Sequence, residues 1–345
     1  YDDEWRRYDS TLKHSVMKVP AVHVGGWFDT FSQGTIDSFI GRQHKGAAGA
    51  KGNQRLVMGP WAHGGARSDG VGQLKFPNNR MPGAYSSGQF FKEILTDGKL
   101  DKKTLPVAYY VMGDTSKADS PGNEWRFAKD WPVPADEVGY YFHGGGKLTT
   151  LKGTNSKAGV TYIFYPAKPC PTVGGSNLVL PRGPMDQQKI ESRDDVLVFT
   201  TGQLSEPVEV TGRVSARIFI SSSAVDTDLS VRLCDVYPSG ESYIMAEGML
   251  RLRRRAGMDK NVLLAKGQVY EVTVDCWSTS IIFNKSHRIR VAVTSSNYPR
   301  FDINPGTGKV FKVGDATVKQ TNTIHCSATM PSQIILPVVR KPTEK

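Results

Sequence analysis

The sequence has few cysteines and arranges none of them as a metal site. Its 345 residues include four, Cys170, Cys234, Cys276 and Cys326, which lie far apart without a Cys-x-x-Cys pair. This spacing excludes the common zinc motifs. Cys234 and Cys276 fall in apolar, strand-like stretches, where we expect buried thiols. Whether two of these cysteines form a disulfide is left open by the sequence, and we expect no cofactor.

Five aspartates are spread too widely for a calcium loop and are expected to be solvated or turn carboxylates: Asp194, Asp195, Asp226, Asp228 and Asp302.

A long apolar run is also missing. No stretch approaches the roughly 20 apolar residues of a transmembrane helix, so the sequence predicts no membrane span. The first residues, from Tyr1 to Arg7, are charged and aromatic and do not begin with Met. They lack the apolar core of a signal peptide. We therefore expect further sequence upstream of Tyr1, and no feature assigns a cellular compartment.

The charge is unbalanced but dispersed. The formal net charge of +11 would suit a nucleic acid or an acidic ligand. The basic residues are scattered, apart from a cluster between Arg251 and Arg255 that we interpret as the solvated end of a strand. No helix-turn-helix, zinc-finger or RNA-binding signature accompanies this cluster, so we expect no nucleic-acid partner.

The chain is long enough for two domains, and its pattern changes near residue 105. Before that point, short apolar strands alternate with helical stretches, a pattern typical of a parallel α/β sheet. The predicted elements are strands at Val19–Gly26 and Gln54–Pro60 and helices at Phe31–Arg42 and Gln89–Leu95.

After residue 105, the pattern consists of short alternating strands separated by turns, with little helix. Such spacing favours an antiparallel β-sandwich of the jelly-roll type. The sequence therefore predicts an α/β part in residues 1–105 and an all-β sandwich in residues 106–345. The predicted strands are Val107–Met112, Gly139–His143, Val196–Thr200, Val208–Gly212, Ala216–Ile220, Leu229–Leu233, Tyr270–Val274 and Arg288–Val293.

Two polar residues directly follow the two strands predicted in the first part. Asp29 ends the stretch that starts at Gly25, and His63 ends the stretch that starts at Gly59. The 34 positions between them (63 − 29) leave room for one helix, so both should lie at the same edge of one sheet. Asp followed by His is also the order of the last two triad members in α/β-hydrolases. Isolated Asp and His residues are often structural, so spacing alone leaves a catalytic role open.

The segments Val19–Phe31 and Arg55–His63 closely resemble the cocaine esterase family. This family groups with α-amino-acid ester hydrolases, some cephalosporin acylases and X-Pro dipeptidyl-peptidases. The resemblance implies an α/β-hydrolase domain followed by a jelly-roll domain, and a serine hydrolase that cleaves ester or amide bonds through an acyl-enzyme. It continues through segments Arg193–Leu197, Glu206–Gly212, Ser221–Asp228, Gly267–Val272 and Ser295–Asp302.

The same resemblance implies roles for individual residues. Asp29 ends the family's Gly-Trp-Tyr/Phe-Asp motif and His63 ends its Gly-Pro-Trp-x-His motif, so they match the triad Asp and His. Phe31 matches a position that lines the acyl pocket, although a helix residue packed on the core is an equal alternative. Leu178 and Val179, which follow Gly174 and Gly175, resemble a loop that approaches the same pocket.

The chain departs from the family in one respect, since it contains no Gly-x-Ser-x-Gly elbow. Ser68, Ser86, Ser176 and Ser239 lie near glycines, but they lack the flanking pattern and follow Asp29, which is the wrong order. We therefore expect the chain to be the C-terminal portion of such an enzyme, inactive by itself. Its partner would be the N-terminal part, carrying the nucleophilic Ser, the helical cap and the oxyanion-hole Tyr.

Two other functions stay open. An X-Pro dipeptidyl-peptidase would need an acidic site for the free amine of its substrate, which would also lie upstream. A non-catalytic sandwich could bind carbohydrate through exposed Tyr140, Tyr141 and Tyr237. We expect Trp27 and Trp61 to buttress the loops of Asp29 and His63 rather than line the pocket. A homo-oligomer is a further possibility.

Overall fold

The computed structural model describes residues 1–65, 70–310, 312 and 314–340, and Ser68 lies outside these ranges. Within them, a four-stranded sheet has the order β1-β2-β3-β4, with β1, β2 and β3 parallel and β4 antiparallel to β3. Its strands are β1 (Ala21–Phe28), β2 (Gln54–Ala62), β3 (Val107–Val111) and β4 (Glu124–Ala128).

Three helices belong to this part of the chain, α1 (Asp3–Tyr8), α2 (Ser32–Lys45) and α3 (Ser87–Leu95), with 3-10 turns at Ser10–Val16 and Gly83–Tyr85. Helix α2 connects β1 to β2 and buries Ile36 and Phe39 in the core. Basic residues in its last turn stabilise the negative end of the helix dipole. In the described part of the chain, no helix combines the length and the apolar character needed to cross a membrane.

A second sheet of eleven strands follows in the rest of the described chain. Its strand order is β11-β10-β13-β8-β6-β5-β15-β9-β14-β7, and β12 pairs with β9. The structure is thus rich in mixed β-sheet and has few helices. The elements are β5 (Asp136–His143), β6 (Lys147–Thr149), β7 (Gly159–Phe164), α4 (Gln188–Glu191), β8 (Leu197–Thr200), β9 (Val208–Ser222), β10 (Asp228–Val236), β11 (Ser242–Arg251), β12 (Tyr270–Phe283), β13 (Arg288–Thr294), β14 (Gln320–His325) and β15 (Gln333–Val338), with 3-10 turns at Gly144–Gly146 and Leu252–Arg254.

Two strand predictions need correction. The run Val107–Met112, expected to open the second part, instead supplies β3, which pairs in parallel with β2 in the first sheet. All five residues of β3 are buried, which fits an interior strand covered on both faces. The segments predicted as two strands around Gly212 form the single long strand β9, in which Gly212 adopts a φ of +137° within the strand instead of ending it.

The two sheets share one continuous core. A cluster of buried apolar side chains runs from Trp27 and Phe28 in β1 to Ile334 and Leu336 in β15. Directly after β3, the backbone N–H of Met112 donates to the Ser280 carbonyl at 2.9 Å, and its carbonyl accepts from Ile282 N–H at 2.8 Å. These bonds attach the first sheet to β12 of the second.

The buried polar groups differ from expectation. The arginines between Arg251 and Arg255 are not simply solvated, because Arg251 Nε lies 2.9 Å from Asp228 Oδ1 and Arg253 Nε lies 3.5 Å from Asp226 Oδ2. Both aspartates are buried, and so is Asp195, which pairs with Arg193, so the expectation of solvated carboxylates was wrong for these three. A buried carboxylate is tolerated only when it is paired, and the arginine cluster supplies the partners of Asp226 and Asp228. The four cysteines all lie in the described ranges and are buried and free, as predicted for Cys234 and Cys276.

A buried histidine between two carboxylates lies where the sheets meet. His287 Nδ1 lies 2.9 Å from Asp235 Oδ1 in β10, and its Nε2 lies 3.4 Å from Asp114 Oδ2, which follows β3. Burial opposes protonation of the ring, but the hydrogen bond and the charge of Asp235, aided by Asp114, outweigh it and raise the pKa of His287.

We predict that this cluster makes stability depend on pH. Because the pKa of His287 is raised in the folded state, its stabilisation is complete below the unfolded pKa of about 6.5 and is lost as pH rises through the folded value. Urea denaturation from pH 6 upward should therefore show a falling free energy of unfolding, with a shallower slope in His287→Gln. His44→Gln, which removes an exposed histidine paired with Asp130, is the control and should keep the wild-type slope. Equal slopes in the wild type and His287→Gln would contradict this prediction.

Candidate active site

The structure brings Asp29 and His63 together at one edge of the first sheet. Asp29 is the residue after β1 and His63 is the residue after β2, and these strands run in parallel with Phe28 opposite Ala62. His63 Nδ1 lies 3.3 Å from Asp29 Oδ1 and 3.2 Å from Oδ2. The Asp29 side chain is 13% exposed and that of His63 is 48% exposed. The carboxylate is therefore sheltered while the ring remains open to a reactant.

Local backbone geometry orients the Asp29 carboxylate. Its Oδ1 accepts a hydrogen bond from the Phe31 backbone N–H at 3.0 Å, and its carbonyl accepts from Ser32 N–H at the start of α2. Because Nδ1 of His63 faces the carboxylate, it carries the ring proton, and Nε2 is left as the basic nitrogen. This arrangement can remove a proton from a group placed at Nε2 and stabilise the imidazolium that forms.

A bulge next to the site sets how the two strands end. The register shifts between Gly26, opposite Gly59, and Phe28, opposite Ala62, so β2 contains one extra residue there. A Cβ at Gly26 would collide with the carbonyl oxygen of Trp61. Bulges are common beside active sites because they redirect the following side chain.

The tryptophans beside the pair are structural, as expected. Trp27 is buried, donates from Nε1 to the Tyr110 carbonyl at 2.8 Å and packs on Trp131. Trp61 is also buried and donates from Nε1 to the Asn79 carbonyl at 3.1 Å.

Phe31 lies against the catalytic candidates rather than in the core. Its ring contacts the His63 ring edge-on, with the centroids 5.3 Å apart, and the side chain is 54% exposed. The alternative that Phe31 packs on the core is therefore wrong. Whether it touches a substrate stays a prediction.

Leu178 and Val179 lie on a loop of the second part of the chain and are both exposed. They line a cavity of about 620 Å³ whose walls also include Thr30, Trp277 and Phe301. Thr30 directly follows Asp29, so this cavity lies beside the candidate site, but Asp29, Phe31 and His63 are not among the residues that line it. Sequence reasoning assigned no role to Thr30, although it lies within the segment Val19–Phe31, and it missed Trp277, which lies in none of the resembling segments.

The described serines near glycines do not complete a catalytic group. Ser86 caps α3 by accepting from Gln89 N–H, Ser176 Oγ donates to the Trp27 carbonyl, and Ser239 Oγ donates to Glu241. Among the described residues, no serine hydroxyl hydrogen-bonds to His63. Over the same residues, no group of three or more His, Cys, Asp and Glu is placed to hold a metal ion.

The predicted aromatic platform for carbohydrate was wrong. Tyr140 and Tyr237 are buried, and Tyr141 is only partly exposed. Tyr237 packs its ring on His287 at a centroid distance of 4.5 Å, so it belongs to the junction of the two sheets.

Family models match both parts of the chain. Residues 100–335 match the X-Pro dipeptidyl-peptidase C-terminal non-catalytic domain, and residues 1–65 match the X-Pro dipeptidyl-peptidase (S15 family) model. The match over residues 100–335 covers more than half of the chain, so the chain belongs to the family of the X-Pro dipeptidyl-peptidase C-terminal non-catalytic domain.

Individual proteins that resemble the chain are hydrolases of esters and peptides by name. The chain is 34% identical, over 99% of its length, to cocaine esterase from Rhodococcus sp. (strain MB1 Bresler), and it spans 60% of that protein. The resemblance seen in the two motif segments is thereby confirmed. An aminopeptidase from a marine sediment Thaumarchaeota archaeon superposes with a TM-score of 0.86 and 27% identity over 99% of this chain and 58% of that one. An α-amino acid ester hydrolase superposes with a TM-score of 0.83 and 28% identity over 98% and 59%.

We predict that Gly26→Ala lowers the free energy of unfolding by disturbing the sheet edge that carries Asp29 and His63. The new methyl group would force β1 away from the Trp61 carbonyl, and overpacking of this kind costs about 1–3 kcal/mol. Gly34→Ala in helix α2 is the matched control, because a Cβ there meets no atom within 4 Å. It should stabilise the protein by about 0.5–1 kcal/mol through helix propensity. Urea denaturation measures both, and equal stability of Gly26→Ala and the wild type would refute the close approach.

Proposed function

We propose that, in the full-length protein, Asp29 is the orienting carboxylate and His63 the general base of a Ser-His-Asp triad that hydrolyses an ester or amide bond. The observation that carries this proposal is the contact of the Asp29 carboxylate with His63 Nδ1 at the ends of adjacent parallel strands. The 34% sequence identity with cocaine esterase supports an esterase activity for the full-length protein.

The reaction would follow the acyl-enzyme route. Nε2 of His63 takes the proton of the serine hydroxyl while the serine oxygen attacks the substrate carbonyl carbon. Asp29 stabilises the imidazolium, which then protonates the departing alcohol or amine as the bond to the carbonyl carbon breaks. A water molecule, deprotonated by the same His63, attacks the acyl-enzyme, releases the acid and regenerates the serine.

We propose that an upstream segment supplies the nucleophilic serine, the oxyanion donors and a cap. The chain contains no Gly-x-Ser-x-Gly elbow and spans 60% of the cocaine esterase it matches. In the described part of the chain, β1 is an edge strand that pairs only with β2, and Val24 is exposed on it. An open edge of this kind presents backbone groups to which a further strand can hydrogen-bond.

The architecture proposed with this function has two parts. The first sheet with its helices would be part of an α/β-hydrolase domain, and the eleven-stranded sheet would be a jelly-roll sandwich. The proposed division between residues 1–105 and 106–345 follows the change in sequence pattern, whereas strand pairing continues across it through β3 and β4. In this arrangement, Phe31, Leu178 and Val179 contact the acyl group of a small-molecule substrate.

An X-Pro dipeptidyl-peptidase is the second candidate, because the family models that match the chain carry that name. The two candidates differ in whether the substrate needs a free amino terminus two residues before the cleaved bond. Hydrolysis of an X-Pro nitroanilide at a higher kcat/KM than simple nitrophenyl esters would favour the peptidase.

We predict that His63→Ala in the full-length protein lowers kcat for a nitrophenyl ester by several orders of magnitude, since loss of the triad base has that effect. His44→Ala, which removes an exposed histidine paired with Asp130, is the control and should keep wild-type turnover. Near-wild-type turnover by His63→Ala would overturn the triad assignment.

We also predict that the 345-residue chain by itself does not react with a fluorophosphonate probe, because its sequence offers no serine in an elbow. Intact-mass spectrometry after incubation checks this, with the full-length protein as the positive control. Stoichiometric labelling of the isolated chain would place the nucleophile among its own residues.

A further inference from the structure

The loop that carries Leu178 and Val179 is closed at its base by backbone pairing. Gly175 N–H donates to the Gly183 carbonyl at 2.8 Å, and Gly183 N–H donates to the Gly175 carbonyl at 2.9 Å. Gly175 adopts a φ of +77°, a conformation that favours glycine. We call residues 176–182 the acyl loop. Inside it, the buried Asn177 accepts a hydrogen bond from Leu180 N–H at 2.9 Å, which shapes the turn.

A buried carboxylate from the second sheet holds this loop. Glu247, in β11, accepts from Ser176 N–H at 2.9 Å and from Asn297 Nδ2 at 2.9 Å, and it forms an ion pair with Arg300. The side chains of Glu247 and Arg300 are 6% and 10% exposed. A Cβ at Gly175 would collide with the Glu247 carboxylate, so the loop backbone packs directly on it.

The acyl loop is also attached to the Asp29–His63 pair. Ser176 Oγ donates to the carbonyl of Trp27 at 3.4 Å, and Trp27 lies two residues before Asp29. On the far side of the loop, Leu178 and Val179 line the same cavity as Thr30. Glu247 therefore contacts the base of the loop, and its ion-pair partner Arg300 lines the same cavity as Leu178 and Val179.

We propose that Glu247 is a positioning residue that fixes the acyl loop and thereby determines which acyl groups reach His63. This inference rests on the proposed function. The desolvated carboxylate is paired with Arg300 and accepts one hydrogen bond on each oxygen, so its position is constrained and it constrains Ser176 N–H in turn. A loop without this acceptor has an unpaired backbone donor and would sample other positions of Leu178 and Val179.

The test uses Glu247→Met in the full-length protein, which removes the acceptor atoms at similar volume. Because this change leaves the buried Arg300 cation unpaired, the double variant with Arg300→Met is measured beside it. Arg300 also lines the cavity, so Arg300→Met alone is the reference against which the double variant is compared. Asp228→Asn is the matched control, since it removes another buried carboxylate paired with an arginine, Arg251. In the described part of the chain, Asp228 makes no hydrogen bond to the acyl loop. Glu247→Gln restores an acceptor for Ser176 and should partly rescue the effect.

Two readouts are needed, kcat/KM for p-nitrophenyl benzoate relative to p-nitrophenyl acetate and hydrogen–deuterium exchange of residues 176–182. In the double variant we expect the ester ratio to shift by about tenfold, the usual scale of pocket discrimination, with kcat for the acetate within about threefold. The loop amides should exchange at least about tenfold faster. Asp228→Asn should leave both readouts unchanged.

A folded double variant whose ester ratio lies within about twofold of that of Arg300→Met would overturn the proposal, and so would an equal shift in Asp228→Asn. Unchanged exchange of the loop would overturn it as well. If the wild type hydrolyses neither ester, the proposed esterase activity is contradicted, and so is the selection of acyl groups. The exchange measurement then still decides whether Glu247 holds the loop.

Discussion

The close parallel approach of β1 and β2 is the constraint on which the candidate site depends. Gly26 lies so near the Trp61 carbonyl that no Cβ fits between them, and the bulge beyond it brings Phe28 opposite Ala62. The next residues along the two strands, Asp29 and His63, therefore leave the sheet side by side. A displacement of either strand end by about one ångström would separate the carboxylate from the imidazole, and catalytic groups tolerate little more.

The second sheet completes the surroundings of that pair. It contributes Leu178, Val179 and Trp277 to the cavity beside Thr30, so this cavity has walls from both sheets. The docking is specific because buried polar groups must be paired across the junction. The buried His287 lies between the buried Asp114 and Asp235, and the partly exposed Arg126 in β4 adds an ion pair at 2.7 Å with Glu209 in β9. A buried charge without its partner is costly, which disfavours other relative positions of the two sheets.

Local patterns predicted β1 and β2 as the apolar runs that precede Asp29 and His63. They placed the strand ends at Gly26 and Pro60, whereas both strands continue two residues further, to Phe28 and Ala62. They failed for β3, since an apolar run does not indicate which sheet will bury it. They failed at Gly212, where a glycine within a long strand was taken for a turn. They also failed for Arg251 and Arg253, because a charged cluster is solvated only when no buried carboxylate lies nearby. Each failure concerns a partner that is distant in the sequence.

By itself, the sequence determined the motifs, the order of strand and helix around them and the family to which they point, since these depend on residues that are neighbours along the chain. Only the tertiary structure decided that the Asp29 carboxylate faces Nδ1 of His63, that Phe31 is exposed against the ring and that Glu247 supports the acyl loop. Glu247 and Ser176 are 71 positions apart, and their bond exists only after the strands have paired. Contacts of that range follow from the packing of the whole chain, which no local pattern contains.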